Sequence, residues 1–161
     1  MGPYTAEDLD RLPNLPPHTE LIDGWLVPRG PQTKFRSVVV DLLAAALREA
    51  APPELRVRRG MTVTLGPRQR PEPDLIVVRA TADQGMNQTT YRPEDIVLVV
   101  EVDSTVRKRD LYEEAGIRDV WQIENDHGQA VAYTPTGIQF GRLRISAPFD
   151  IDVRLDDYQQ M

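Results

Sequence analysis

The chain contains no cysteine, which removes disulfides, thiolate metal sites and cysteine nucleophiles together. It has two histidines, His18 in a proline-rich stretch and His127 beside a turn glycine, so neither a histidine-built zinc site nor a histidine-dependent triad is expected. Lysine is equally scarce: Lys34 and Lys108 are the only two in 161 residues. No apolar run approaches the roughly 20 residues of a membrane span, and the start, Met1 to Asp8, lacks the basic and apolar regions of a signal peptide. A cytoplasmic protein with no membrane partner is the default expectation. The net charge of -6 has the wrong sign for holding nucleic acid by bulk electrostatics. Any basic footprint must be local. Arginine supplies two candidates, Arg56, Arg58, Arg59, Arg68 and Arg70, and then Arg107 and Arg109 around Lys108. Guanidinium forks grip phosphates well, although such groups more often form a solvated face.

What the chain does have is the ordinary apolar content of a globular protein, 40%, and a length suited to one domain over residues 1–161. Thr5 is placed to cap a short helix through Arg11, and Pro13, Pro16 and Pro17 enforce an extended approach to the next element. Glu20-Leu21-Ile22 and Trp25-Leu26-Val27 flank Asp23-Gly24, a strong hairpin signal. Val38 to Ala50 has helical spacing and stops at Pro52-Pro53. Leu55 to Leu65 reads as one imperfect strand, Ala80 to Pro93 as a polar loop, and Arg107 to Ala115 as a helix closed by Gly116. Val120 to Ile123, Val131 to Tyr133, Ile138 to Ile145 and Phe149 to Leu155 read as strands. The fold class is therefore α+β, a central mixed sheet flanked by helices with an N-terminal β-hairpin.

Two acids stand out. Asp74, in Pro71-Glu72-Pro73-Asp74, leads into Leu75-Ile76-Val77-Val78, and Glu101 follows the run Ile96 to Val100. Neighbouring buried strands would carry both carboxylates to one end of a sheet, where hard oxygen ligands suit Mg2+ or Mn2+. A carboxylate inside Val99-Val100-Glu101-Val102 is at least partly buried, and a buried acid is seldom kept without a partner or a metal. Plainer readings remain for the others: Asp74 as a strand-initiating aspartate after proline, Glu20 as a hairpin surface residue, and Lys108 as a solvent-facing lysine between arginines.

The ordered set of Glu20 in Glu-Leu-Ile-Asp-Gly, Pro73-Asp74, Glu101, Lys108 and Tyr112-Glu113-Glu114-Ala115-Gly116-Ile117, followed by Trp121, resembles the PD-(D/E)XK nuclease superfamily. Within it the chain resembles the bacterial Uma-two group of restriction-endonuclease-like proteins over nearly its whole length. The resemblance implies a Mg2+- or Mn2+-dependent endonuclease hydrolysing DNA phosphodiester bonds. Asp74 and Glu101 would be metal ligands, Glu20 a further carboxylate for an ion or its water, and Lys108 the cation beside the attacking water. It also implies a homodimer, which would set two cleavage sites on opposite DNA strands. The chain departs from the family pattern in several places. The usual lysine two residues after the acid is Asp103 here, and Lys108 on the following helix takes its place. Arg36 stands where relatives often carry histidine. The chain is short near Val27-Pro28-Arg29, between Val102 and Lys108, and after Tyr133. An inactive nuclease-fold binding or assembly module, and a structural β-rich protein associating through strand edges, remain the alternatives.

Overall fold

A computed structural model describes residues 1–161. In chain order the elements are helix α1 (Asp8–Arg11), the hairpin β1 (Thr19–Ile22) and β2 (Trp25–Pro28), and helix α2 (Lys34–Ala50). Then come β3 (Leu55–Arg59), β4 (Thr62–Val63), β5 (Leu75–Arg79), β6 (Thr90–Tyr91), β7 (Ile96–Val102) and helix α3 (Val106–Glu114). The chain closes with β8 (Val120–Asp126), β9 (Gln129–Thr134), β10 (Gly137–Phe140), β11 (Leu143–Ile145), β12 (Ile151–Val153) and a 3-10 turn over Leu155–Gln160. Six strands form the central sheet in the order β10-β9-β8-β7-β5-β3. Only β7 and β8 run parallel, joined by the α3 crossover; the other pairs are antiparallel. The α+β expectation, with its mixed sheet and N-terminal hairpin, is met.

Alternation along β7 divides the core. Leu98, Val100 and Val102 face α2, where they meet Leu75 and Val77 of β5 and the helix stripe Phe35, Val39, Leu43 and Leu47. Val99 faces the other way and packs with Ile76, Tyr112, Ile117 and Val120. Glu101, two residues beyond Val99, belongs to this second face, under α3. Leu43 and Leu47 are fully buried, and each contributes roughly 2 kcal/mol through apolar burial alone.

Several elements differ from the sequence expectation for identifiable reasons. Helix α2 starts a turn earlier than Val38, because the Thr33 side chain accepts the Arg36 N–H and caps a polar first turn. The short first helix is not capped by the Thr5 side chain; the Thr5 N–H donates to Asp8 Oδ2 instead. The Leu55 to Leu65 strand is broken at Gly60, whose φ of 68° turns the chain, so that β4 leaves the sheet and pairs in parallel with β6. β6 lies inside the Ala80 to Pro93 stretch read as polar loop. The Ile138 to Ile145 strand likewise breaks at Gly141, where φ is 69°, into β10 and β11. The Asp23-Gly24 turn forms as expected, with φ of 52° and 77°, the two positive angles of a type I′ turn.

Candidate active site

The β5/β7 register determines where the two acids meet. Leu75 pairs with Val100, so one further step along the antiparallel ladder sets Asp74 beside Glu101. The turn into β5 is held by Asp74 itself, whose Oδ2 accepts the Val102 N–H at 2.7 Å. Pro71, Glu72, Pro73 and Asp74 are all buried, an unusual setting for a segment that alternates proline with acids.

Lys108 is brought to the same place by its helix cap. Immediately after β7, Asp103 adopts φ of 50°, a left-handed geometry that aspartate tolerates, and its Oδ1 accepts the Asn125 N–H at 3.1 Å. The Asp103 carboxylate is thus committed to the end of β8. Two residues on, Thr105 caps α3 by accepting the Lys108 N–H. The short connection that departs from the family pattern therefore starts α3 directly over the strand ends. Lys108 Nζ lies 2.6 Å from Glu101 Oε2 and 2.5 Å from Glu20 Oε1, and it reaches the Glu72 carbonyl at 3.3 Å. Glu20 arrives from β1, which is tied down by the Leu21–Arg70 bridge and by Arg107 on Asp23 at the hairpin tip. The Glu20 carboxylate also accepts the Glu72 N–H at 2.8 Å.

All five charged side chains here are buried: Glu20, Glu72, Asp74, Glu101 and Lys108. Burial pushes the Glu101 carboxyl above its ordinary range, opposed by the Lys108 charge. Burial pulls Lys108 down, but Glu101 and Glu20 together outweigh it and leave the ammonium more basic than usual. Lys108 is therefore protonated at neutral pH. Tyr112 donates its hydroxyl to Glu101 Oε2 at 2.7 Å, and burial, then the Glu101 charge, holds its pKa far above the phenolic range. Glu101 Oε2 is thus doubly occupied, while Oε1 is buried with no hydrogen-bond partner.

That orphan oxygen is what a cation would satisfy, and together with the Asp74 carboxylate it would offer the hard oxygen donors that Mg2+ or Mn2+ takes. No three acidic or histidine groups converge closely enough to cage an ion by themselves. Glu20, expected alongside the other two acids, shares Lys108 with Glu101. An ion held by two carboxylates completes its shell with water and substrate oxygens, the usual habit of Mg2+.

The Uma2 family, described as "Putative restriction endonuclease", matches residues 6–150. The chain belongs to this family. A crystal structure of a putative nuclease from Anabaena variabilis superposes on it with a TM-score of 0.71 at 17% identity, covering 98% of each chain; at that identity the likeness concerns the fold. No curated protein matches. No helix is long and apolar enough to cross a membrane.

In this Uma2 chain Glu72 and Asp74 face a cleft of about 150 Å3 that is also lined by His18, Arg29, Arg36 and Arg59, whereas Glu20, Glu101 and Lys108 do not line it. Arg29 and Glu72 do not stand out in the sequence as site residues, and Arg36 is notable there only for standing where relatives often carry histidine. Arg29 Nη2 approaches Asp74 Oδ1 at 3.2 Å and Nη1 approaches the Glu72 carbonyl at 3.1 Å. Arg36 donates to the Val102 carbonyl at 2.8 and 3.1 Å and to Asp103 O at 3.2 Å. His18 Nδ1 lies 2.7 Å from Glu72 Oε2. The arginines that line the cleft, Arg29, Arg36 and Arg59, lie mostly outside the two arginine groups visible in the sequence.

Glu124, at the β8 end of the same region, titrates near neutrality: partial burial and then the adjacent Asp103 carboxylate raise its pKa from 4.5 to about 7. The folded state therefore holds a proton that the unfolded chain releases above 4.5, so stability falls as pH rises from about 4.5 to 7. Glu124→Gln removes that fall. It should stabilise the protein by about 1 kcal/mol at pH 8, allowing for solvent screening of this partly exposed group, and by nearly nothing at pH 5. Urea melts at the two pH values check this; an equal gain at both contradicts it.

Proposed function

We propose that this Uma2-family protein is a divalent-metal-dependent endonuclease that hydrolyses DNA phosphodiester bonds. The observation that carries the reading is a buried Lys108 clamped between Glu20 and Glu101 and reaching the Glu72 carbonyl, in a cluster whose Glu72 and Asp74 line an arginine-bearing cleft. Replacing a whole buried ion-pair cluster by well-packed apolar groups is often neutral or stabilising, although removing one member alone is costly, so such a cluster fits a chemical role better than a structural one.

Asp74 Oδ1 and Glu101 Oε1 would hold the cation, which when bound supplies charge neutralisation at the phosphate and a more acidic water. The chain's own groups do the rest. Tyr112 and Lys108 together fix the Glu101 carboxylate through Oε2, leaving Oε1 aimed away from them. Glu20 holds the Lys108 ammonium in place, and Lys108 presents a fixed positive charge to the developing negative charge on the phosphate. The Val102 N–H orients Asp74 through its other oxygen.

Plasmid DNA incubated with Mg2+ or Mn2+ should be cut, chelation should stop the reaction, and Asp74→Asn should be at least about 100-fold slower, more than an orienting residue around a metal usually costs. Plasmid left intact by the parent protein with both ions would refute the proposal.

A further inference from the structure

Asp74 has one oxygen to offer a ligand, and that oxygen is already taken. Oδ2 accepts the Val102 N–H; Oδ1 is met by Arg29 Nη2 at 3.2 Å and by Arg36 Nε at 3.8 Å. The two arginines are anchored differently. Arg36 is fixed by three hydrogen bonds to the carbonyls of Val102 and Asp103, on the first turn of α2. Arg29 sits just past β2, in the irregular stretch before Thr33 that contains Gly30 and Pro31. Apart from the Glu72 carbonyl, its partners are carboxylates, Asp74 at 3.2 Å and Glu72 at 3.5 Å. Its guanidinium lines the cleft with His18, Arg36 and Arg59.

Charge balance points the same way. Four buried carboxylates, Glu20, Glu72, Asp74 and Glu101, are faced by three permanent cations, Lys108, Arg29 and Arg36. Adding a divalent cation with Arg29 still on Asp74 would reverse the net sign of a buried cluster. Moving Arg29 off Asp74 lets the ion take over the same neutralising role.

Resting on the nuclease reading above, we propose that Arg29 is a resident counter-ion of Asp74 that the divalent cation displaces, and that the freed guanidinium then grips a backbone phosphate of the DNA in the cleft. Arg29 is the group suited to exchange, because its other anchors are the Glu72 carbonyl and a long 3.5 Å contact to the Glu72 carboxylate, and its segment lacks regular structure. A guanidinium fork matches phosphate oxygens as well as it matches a carboxylate. The device keeps the acid cluster neutralised before metal arrives and couples metal loading to substrate binding.

Titration calorimetry with Mn2+ on the whole chain tests the first half. Arg29→Met should bind Mn2+ roughly tenfold tighter than the parent, the effect of removing one like charge at contact distance, and Asp74→Asn should lose binding. Arg29→Gln, which keeps a donor for the Glu72 carbonyl, should behave as Arg29→Met does, and Arg29→Lys should stay near the parent. The second half is read with a phosphorothioate-backbone duplex that resists cutting. In the presence of Mn2+, Arg29→Met should bind it about fivefold more weakly, with the salt slope reduced by about one. Mn2+ affinity unchanged or weakened in both neutral variants overturns the counter-ion role, and unchanged duplex affinity overturns the phosphate grip. Absence of Mn2+ binding in the parent and in every variant overturns the metal-dependent reading itself.

Discussion

Lys108→Met should be the most damaging single change in the molecule, lowering the melting temperature by roughly 10 °C and cleavage by about 100-fold or more. The ammonium is 8% exposed and within 2.6 Å of two carboxylates. Methionine keeps the length and apolar stem but leaves Glu20 and Glu101 buried without their common partner. Breaking one side of a buried ion pair costs about 3–5 kcal/mol, and in a chain of this size each kcal/mol moves the midpoint by roughly 2–4 °C. The catalytic loss follows from removing a fixed charge aimed at the developing oxyanion, a term of about 100- to 1000-fold in other enzymes. A double variant separates the two causes. Lys108→Met with Glu101→Gln removes one of the stranded charges as well, so it should melt higher than Lys108→Met alone, with a coupling of about 1–3 kcal/mol. A Lys108→Met protein that melts with the parent would mean the carboxylates escape to water, and the buried cluster described above would be wrong.

The parts of this arrangement that could be read in the sequence are those carried by local pattern. β5 and β7 announce themselves as apolar runs, and acids at their edges are conspicuous because an apolar strand excludes them unless something compensates. Asp23-Gly24 encodes its own turn. Thr105 is an ordinary helix cap, yet it is what turns Lys108 from a residue between two arginines into the partner of Glu101 and Glu20. The neighbours of the site were hidden for a different reason. Arg29, Glu72 and Arg36 look like solvated residues in and beside loops, and their meaning arises only when β2, the Pro71–Asp74 segment and the start of α2 close around one cleft. The β4/β6 pair was equally invisible, because Val63 and Tyr91 are partners across 28 positions and the intervening stretch is polar. Gly60 and Gly141 break continuous strand patterns through positive φ, a property of the backbone that alternation does not report. At Asp103 the family pattern itself would mislead: the strand ends there, so a lysine at that position would not share the face of Glu101.

Glu101→Gln should separate stability from activity. Cleavage should fall by at least about 100-fold, because the amide cannot replace the carboxylate oxygen that is buried without a partner and that would hold the cation; removing an ordinary orienting group costs less. The fold should not suffer. The amide oxygen can take the place of Oε2, still accepting from Tyr112 and Lys108, and the substitution withdraws a full negative charge from a site where burial already opposes ionisation. Lys108 keeps Glu20 as its counter-ion. Calorimetric melts without added metal should therefore show Glu101→Gln unfolding at or above the parent temperature, as expected where a functional charge is maintained against stability. Mn2+ should raise the melting temperature of the parent through preferential binding to the folded state and leave that of Glu101→Gln nearly unchanged. A variant that melts well below the parent without metal would instead assign Glu101 a structural duty, with its bonds to Lys108 and Tyr112 stabilising the fold more than burial of the charge opposes it.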